Sequence, residues 1–174
     1  MCSICELRIE FRVEHPRSLT VAVAARRGID DGVLPVAAAW DRDSAIALIH
    51  GVRDRLERVL MPEALALLPP FFLLLVETGT WAYFCAGTAG LFDPTVQRLP
   101  PEDFTGDAES EGREAVLLTA ETALAPMLEG RLPFDRAIED GMLMLDASPD
   151  DSAALQAAWA RSWPVSGFSR LVCS

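Results

Sequence analysis

The stretch ALALLPPFFLLLV (64–76) limits the fold more than any other part of the chain. It is the most apolar run present, yet it is shorter than the ~20 residues a membrane-spanning helix needs, and Pro69-Pro70 interrupts it. It therefore belongs to a buried core. Behind the two prolines, FFLLLV is too short for a helix with turns at both ends. Followed by ETGT and then WAYFCAG, it reads as the first strand of a hairpin, with Trp81, Tyr83, Phe84 and Cys85 on the second strand.

Around that hairpin the periodicity predicts a mixture of strands and helices. Leu7, Ile9, Phe11 and Val13 alternate with charged residues from Glu6 to Glu14, which is the pattern of a half-buried strand. His15-Pro16 ends it, with His15 helping to cap a helix that starts at Pro16 and is stopped by Gly28 or Gly32. A second helix fits 43–61, capped by Asp43, with Ile46, Ile49, Val52, Leu56, Val59 and Leu60 at spacings of three and four. Residues 88–113, rich in Pro, Gly and acidic side chains, read as a long irregular connection. Order then returns as a strand AVLLT, a helix through TAETALAPMLEG, a short helix at PFDRAIED, a strand MLML and a last helix DSAALQAAWARSW stopped by Pro164.

Composition narrows the class of partner. At 174 residues and 51% hydrophobic content, one compact domain is the expectation. The net charge of −11 repels a polyanionic backbone, which argues against nucleic acid. All the basic residues are Arg, and Lys and Asn are absent, as in the coding bias of GC-rich genomes. Without lysine there is no Schiff base and no phosphate-binding P-loop, and GTAG (87–90) reads as a turn. No basic, then apolar, leader opens the chain, so a cytoplasmic location is expected.

The segment AVLLTAETALAPMLEGRLPFDRAIEDGMLMLDASPDDSAALQAAW (115–159) resembles the C-terminal half of sterol carrier protein type two-like domains. The likeness lies in the order of parts: strand Val116–Leu118, a helix ending Leu128-Glu129-Gly130, Leu132, a helix carrying Ala137, Gly141, strand Leu143-Met144-Leu145, and a final amphipathic helix. Gly130 and Gly141 fall just past helix ends, where a left-handed cap favours glycine. The resemblance implies an α+β fold, with a mixed or antiparallel sheet, helices packed on one face and an apolar tunnel for a lipid or other hydrophobic molecule. Candidates to line it are Trp81, Tyr83 and Phe84 on the hairpin, with Leu124, Leu128, Leu143, Leu155 and Trp159. Such side chains are more often plain core. The family carries no catalytic motif.

The remaining candidates are thiols. The opening MCSIC holds Cys2 and Cys5 as a CxxC, half of a zinc or iron site, and Cys173 can join them if the termini meet. The second half of a zinc signature is missing, and a lone CxxC is ordinarily two incidental thiols. Asp30-Asp31, Glu139-Asp140 and Asp150-Asp151 are neighbours in sequence whose side chains diverge, so they read as caps and solvated faces rather than acid–base dyads. With His15 and His50 outside any motif, no nucleophile–base pair is recognisable. The expected protein is non-enzymatic and binds a hydrophobic small molecule. The alternative is an accessory protein of a larger enzyme system, holding metal at Cys2 and Cys5, whose partner is another protein or a second copy of the chain.

Overall fold

The structure is a computed structural model that describes residues 15–36, 39–87, 90–91, 93–97 and 114–163. It is an α+β fold. Helices α1 (Ser18–Asp30), α2 (Arg42–Val59) and α3 (Pro62–Ala66) precede the hairpin strands β1 (Phe71–Leu75) and β2 (Thr80–Phe84). Short strands β3 (Ala86–Gly87), β4 (Gly90–Leu91) and β5 (Thr95–Gln97) follow, then β6 (Ala115–Thr119), α4 (Glu121–Leu128), α5 (Phe134–Glu139), β7 (Leu143–Asp146) and α6 (Pro149–Ser162). The alternating segment at 6–14 lies outside the described residues.

Five strands form one mixed sheet in the order β5-β2-β1-β6-β7, while β3 and β4 pair separately. The only parallel neighbours among these described strands are β1 and β6; β2, β5 and β7 join antiparallel. Every residue of β1 and β6 is buried, so both faces of the sheet's centre are covered. That accounts for FFLLL and AVLLT being continuous apolar runs without alternation. Cross-strand partners lock the hairpin: Phe71 stacks on Phe84 and Phe72 tilts against Tyr83, each with centroids 4.8 Å apart. Such pairs contribute about 0.5–1.5 kcal/mol beyond the area they bury.

The helices settle on this sheet by their apolar stripes. Ala45, Ile49, Val52 and Leu56 give α2 one buried face, and α2 lies against both α4 and α6. Its cap is Asp41 rather than Asp43: the Asp41 carboxylate accepts the Ser44 amide at 2.8 Å, and Asp43 falls inside the first turn. Helix α1 begins at Ser18, two residues later than expected. His15 does assist its start, since Nδ1 accepts the Arg17 amide at 3.2 Å and Nε2 faces Asp146 at 3.1 Å. Cys85 follows β2 rather than lying within it, and part of 88–113 is regular, because β5 supplies the edge strand beside β2.

No helix among the described residues is long and apolar enough to cross a membrane. The glycine caps take the conformation expected of them, with φ +74° at Gly130 and +71° at Gly141. A methyl group at position 130 would meet nothing within 4 Å, so Gly130→Ala isolates the conformational cost. It should lower unfolding free energy by about 1–2 kcal/mol in a urea titration. Unchanged stability would show that this turn adapts without glycine.

Candidate functional site

The parallel register places two acidic residues side by side. Leu75 of β1 pairs with Thr119 of β6, and the Val76 amide still donates to the Thr119 carbonyl at 3.0 Å. The chain therefore leaves both strands at the same edge of the sheet. Two residues beyond that last pair, each segment carries the same dipeptide: Glu77-Thr78 in the turn between β1 and β2, and Glu121-Thr122 in the first turn of α4.

Each dipeptide binds the other. The Glu121 carboxylate accepts the backbone amides of Glu77 at 3.0 Å and Thr78 at 2.9 Å, and the Thr78 hydroxyl at 2.5 Å. In return the Glu77 carboxylate accepts the Thr122 amide and hydroxyl, both at 2.7 Å. Each threonine oxygen has one further partner on its outer side: Thr78 shares a 2.7 Å bond with Thr80, and Thr122 accepts the Trp40 indole N–H at 3.0 Å. Glu121 and Thr122 are buried, and Glu77 and Thr78 are partly so. The exchange satisfies turn amides and an orphan amide at the start of α4, which no residue at its own N-cap position supplies. The sequence singles out neither glutamate: ETGT reads as the link of a hairpin, and TAETALAPMLEG as a helix with no role assigned to Glu121.

The residues singled out from sequence are distributed differently. Trp81 and Tyr83 share a sheet face with Phe72 and Leu74, whereas Phe84 and Leu143 share the other with Leu73 and Leu117. The sheet thus separates them. Trp81, Phe84, Leu124, Leu143, Leu155 and Trp159 are buried in the core, and Tyr83 and Leu128 are partly buried against it. Burial and the nearby Glu114 carboxylate raise the Tyr83 phenol above its ordinary range. Cys2, Cys5 and Cys173 lie outside the described residues, and among those described no group of three or more His, Cys, Asp or Glu could hold a metal ion. The three sequence-adjacent acid pairs behave as caps and surface partners: Asp30 pairs with Arg26, Asp140 with Arg136 and Asp151 with Ser148.

Two other features stand apart from this exchange. At the end of α6 the indoles of Trp159 and Trp163 stack with centroids 4.4 Å apart and Phe134 nearby. Both are buried, and neither indole N–H has a hydrogen-bond partner among the described residues. A half-open cleft of about 220 Å³ lies between α1 and α5, lined by Arg27, Gly28, Asp31, Arg136, Asp140 and Met142. Its two guanidinium groups are matched by two carboxylates.

The chain is similar to a protein from Thermus thermophilus described as a conserved hypothetical protein, possibly sterol carrier protein. That solution structure aligns over 74% of this chain and 87% of its own, at 14% identity and a TM-score of 0.44. No family model matches the chain, and no curated protein does.

The electrostatics of the glutamate exchange follow from its burial. Desolvation, reinforced by the negative charge of Glu77, pushes the Glu121 carboxyl up to about 7, against the pull of the Thr78 hydrogen bond. The folded state therefore holds a proton that the unfolded chain releases near 4.5. Stability is fullest below that lower value and falls as pH rises through the upper one, at about 1.4 kcal/mol per unit or roughly 3 kcal/mol in all. Glu121→Gln cannot ionise; its amide group also opposes one backbone N–H, a constant penalty of about 1–3 kcal/mol. In urea unfolding at a series of pH values, the advantage of wild type over Glu121→Gln should shrink as pH rises from 4.5 to 7. A constant difference would contradict the assignment.

Proposed function

We propose that this chain is a non-enzymatic carrier of a hydrophobic small molecule, held in the apolar interior that α2, α4 and α6 enclose with the sheet. The observation that carries this reading is the pair of buried indole N–H groups of Trp159 and Trp163, which have no partner among the described residues. A buried donor left unpaired costs about 1–3 kcal/mol, and in native proteins such groups usually meet a water or a bound molecule. A ligand with an apolar body and one hydrogen-bond acceptor fits both the stacked rings and their donors. Leu124, Leu128 and Leu155 supply apolar surface on the helices, and Phe84 and Leu143 on one sheet face.

Two considerations support the non-enzymatic part. The resemblance of residues 115–159 to sterol carrier protein type two-like domains brings no catalytic motif with it. The carboxylates of Glu77 and Glu121 are spent on one another's backbone and hydroxyl groups rather than turned toward a common open site.

Protein purified without detergent should have a native mass exceeding its denatured mass by a few hundred daltons. After solvent extraction, a long-chain fatty acid should change the tryptophan fluorescence saturably, with a reduced response in Trp163→Phe. Equal masses together with an unchanging fluorescence would overturn the proposal.

A further inference from the structure

Glu77-Thr78 and Glu121-Thr122 form a closed circuit with no cation among its members. These are two carboxylates, the hydroxyls of Thr78, Thr80 and Thr122, three backbone amides and the Trp40 indole. From the β1–β2 turn the titratable group is Glu77, from α4 it is Glu121, and the segment leading into α2 contributes the uncharged Trp40. Asp41, next along that segment, is turned to the Ser44 amide.

The hydrogen-bond count leaves room for one proton. A carboxylate offers about four lone-pair positions. Glu121 uses two on Oε1, for the Thr78 amide and hydroxyl, and one on Oε2, for the Glu77 amide. A proton on the remaining position of Oε2 preserves all three accepted bonds. Removing it costs no bond either, but leaves a buried charge on Glu121 beside the half-buried charge of Glu77 in a circuit that holds no cation, which a protein interior tolerates poorly. The two carboxylates close the same contact from opposite sides, Glu121 on the turn amides and Glu77 on Thr122, so their repulsion acts directly on it.

We propose that this reciprocal pair is a proton-operated latch, which holds the β1–β2 turn against the start of α4 while Glu121 is protonated and releases it when both glutamates are charged. Release frees the amides of Glu77, Thr78 and Thr122 and withdraws the acceptor of the Trp40 indole. The latch involves none of the residues proposed to hold the ligand, so it stands independently of ligand binding.

The test is backbone and indole hydrogen exchange followed by NMR on the whole chain between pH 6 and 8, corrected for intrinsic exchange rates. Protection at Glu77, Thr78 and Thr122 should fall at least tenfold across the range, with the Trp40 indole following. The ladder amides of Leu73 and Leu117 should keep theirs. Glu77→Gln, which removes the second charge while leaving Glu121 able to titrate, should flatten the fall. If protection of the three amides does not change with pH, or if the ladder amides change in parallel, the latch is wrong. An undiminished fall in a folded Glu77→Gln would also overturn it.

Discussion

The parallel pairing of β1 with β6 is the constraint on which the other contacts depend. A parallel pair cannot be closed by a tight turn, so the chain makes a long excursion between the strands and returns in register. Antiparallel partners then extend the sheet outward on each side, β2 and β5 beyond β1, and β7 beyond β6. The pairing also sends two chain segments out of the sheet at one edge, where backbone groups at a turn and at a helix start both need partners. Glu77 and Glu121 meet that need crosswise. Each segment supplies what the other lacks.

This solution joins stability to protonation. A neutral cap such as serine could have satisfied the α4 amide without burying charge. The chain instead buries the Glu121 carboxyl beside the half-buried Glu77, and burial raises Glu121 into the neutral range. The sheet edge is therefore the place where a modest change in pH acts on the fold. The stacked tryptophans at the end of α6, whose indole N–H groups have no partner among the described residues, form a second, separate departure from a fully satisfied interior. In the proposed reading the glutamates bear on how firmly the turn is closed and the tryptophans on ligand binding.

Much of the architecture is legible from local pattern. FFLLLV and AVLLT read as strands because apolar runs of that length between breakers have few alternatives, and Gly130 and Gly141 read as caps because of where helices must end. Asp43 was the wrong cap because Asp41 and Asp43 stand at equally plausible positions, and only the φ and ψ of Asp41 decide between them. Strand β5 was hidden by its shortness and by the Pro- and Gly-rich segment around it. The glutamate pair escaped for a different reason. Glu77 and Glu121 are 44 positions apart, and only the parallel register brings them level. Its trace in the sequence is the repetition of Glu-Thr after a six-residue, largely apolar run, FFLLLV-ET and AVLLTA-ET. That repetition acquires meaning once the two runs are known to pair.

The reciprocal bonds make the two dipeptides one cooperative unit. A double-mutant cycle of Glu77→Ala, Glu121→Ala and the double variant, measured by urea unfolding at pH 6, tests it most directly. The expected result is a double variant less destabilised than the sum of the singles by at least about 1 kcal/mol, since losing either side already opens the contact. Additivity within about 0.5 kcal/mol would contradict the claim and make the two glutamates independent caps.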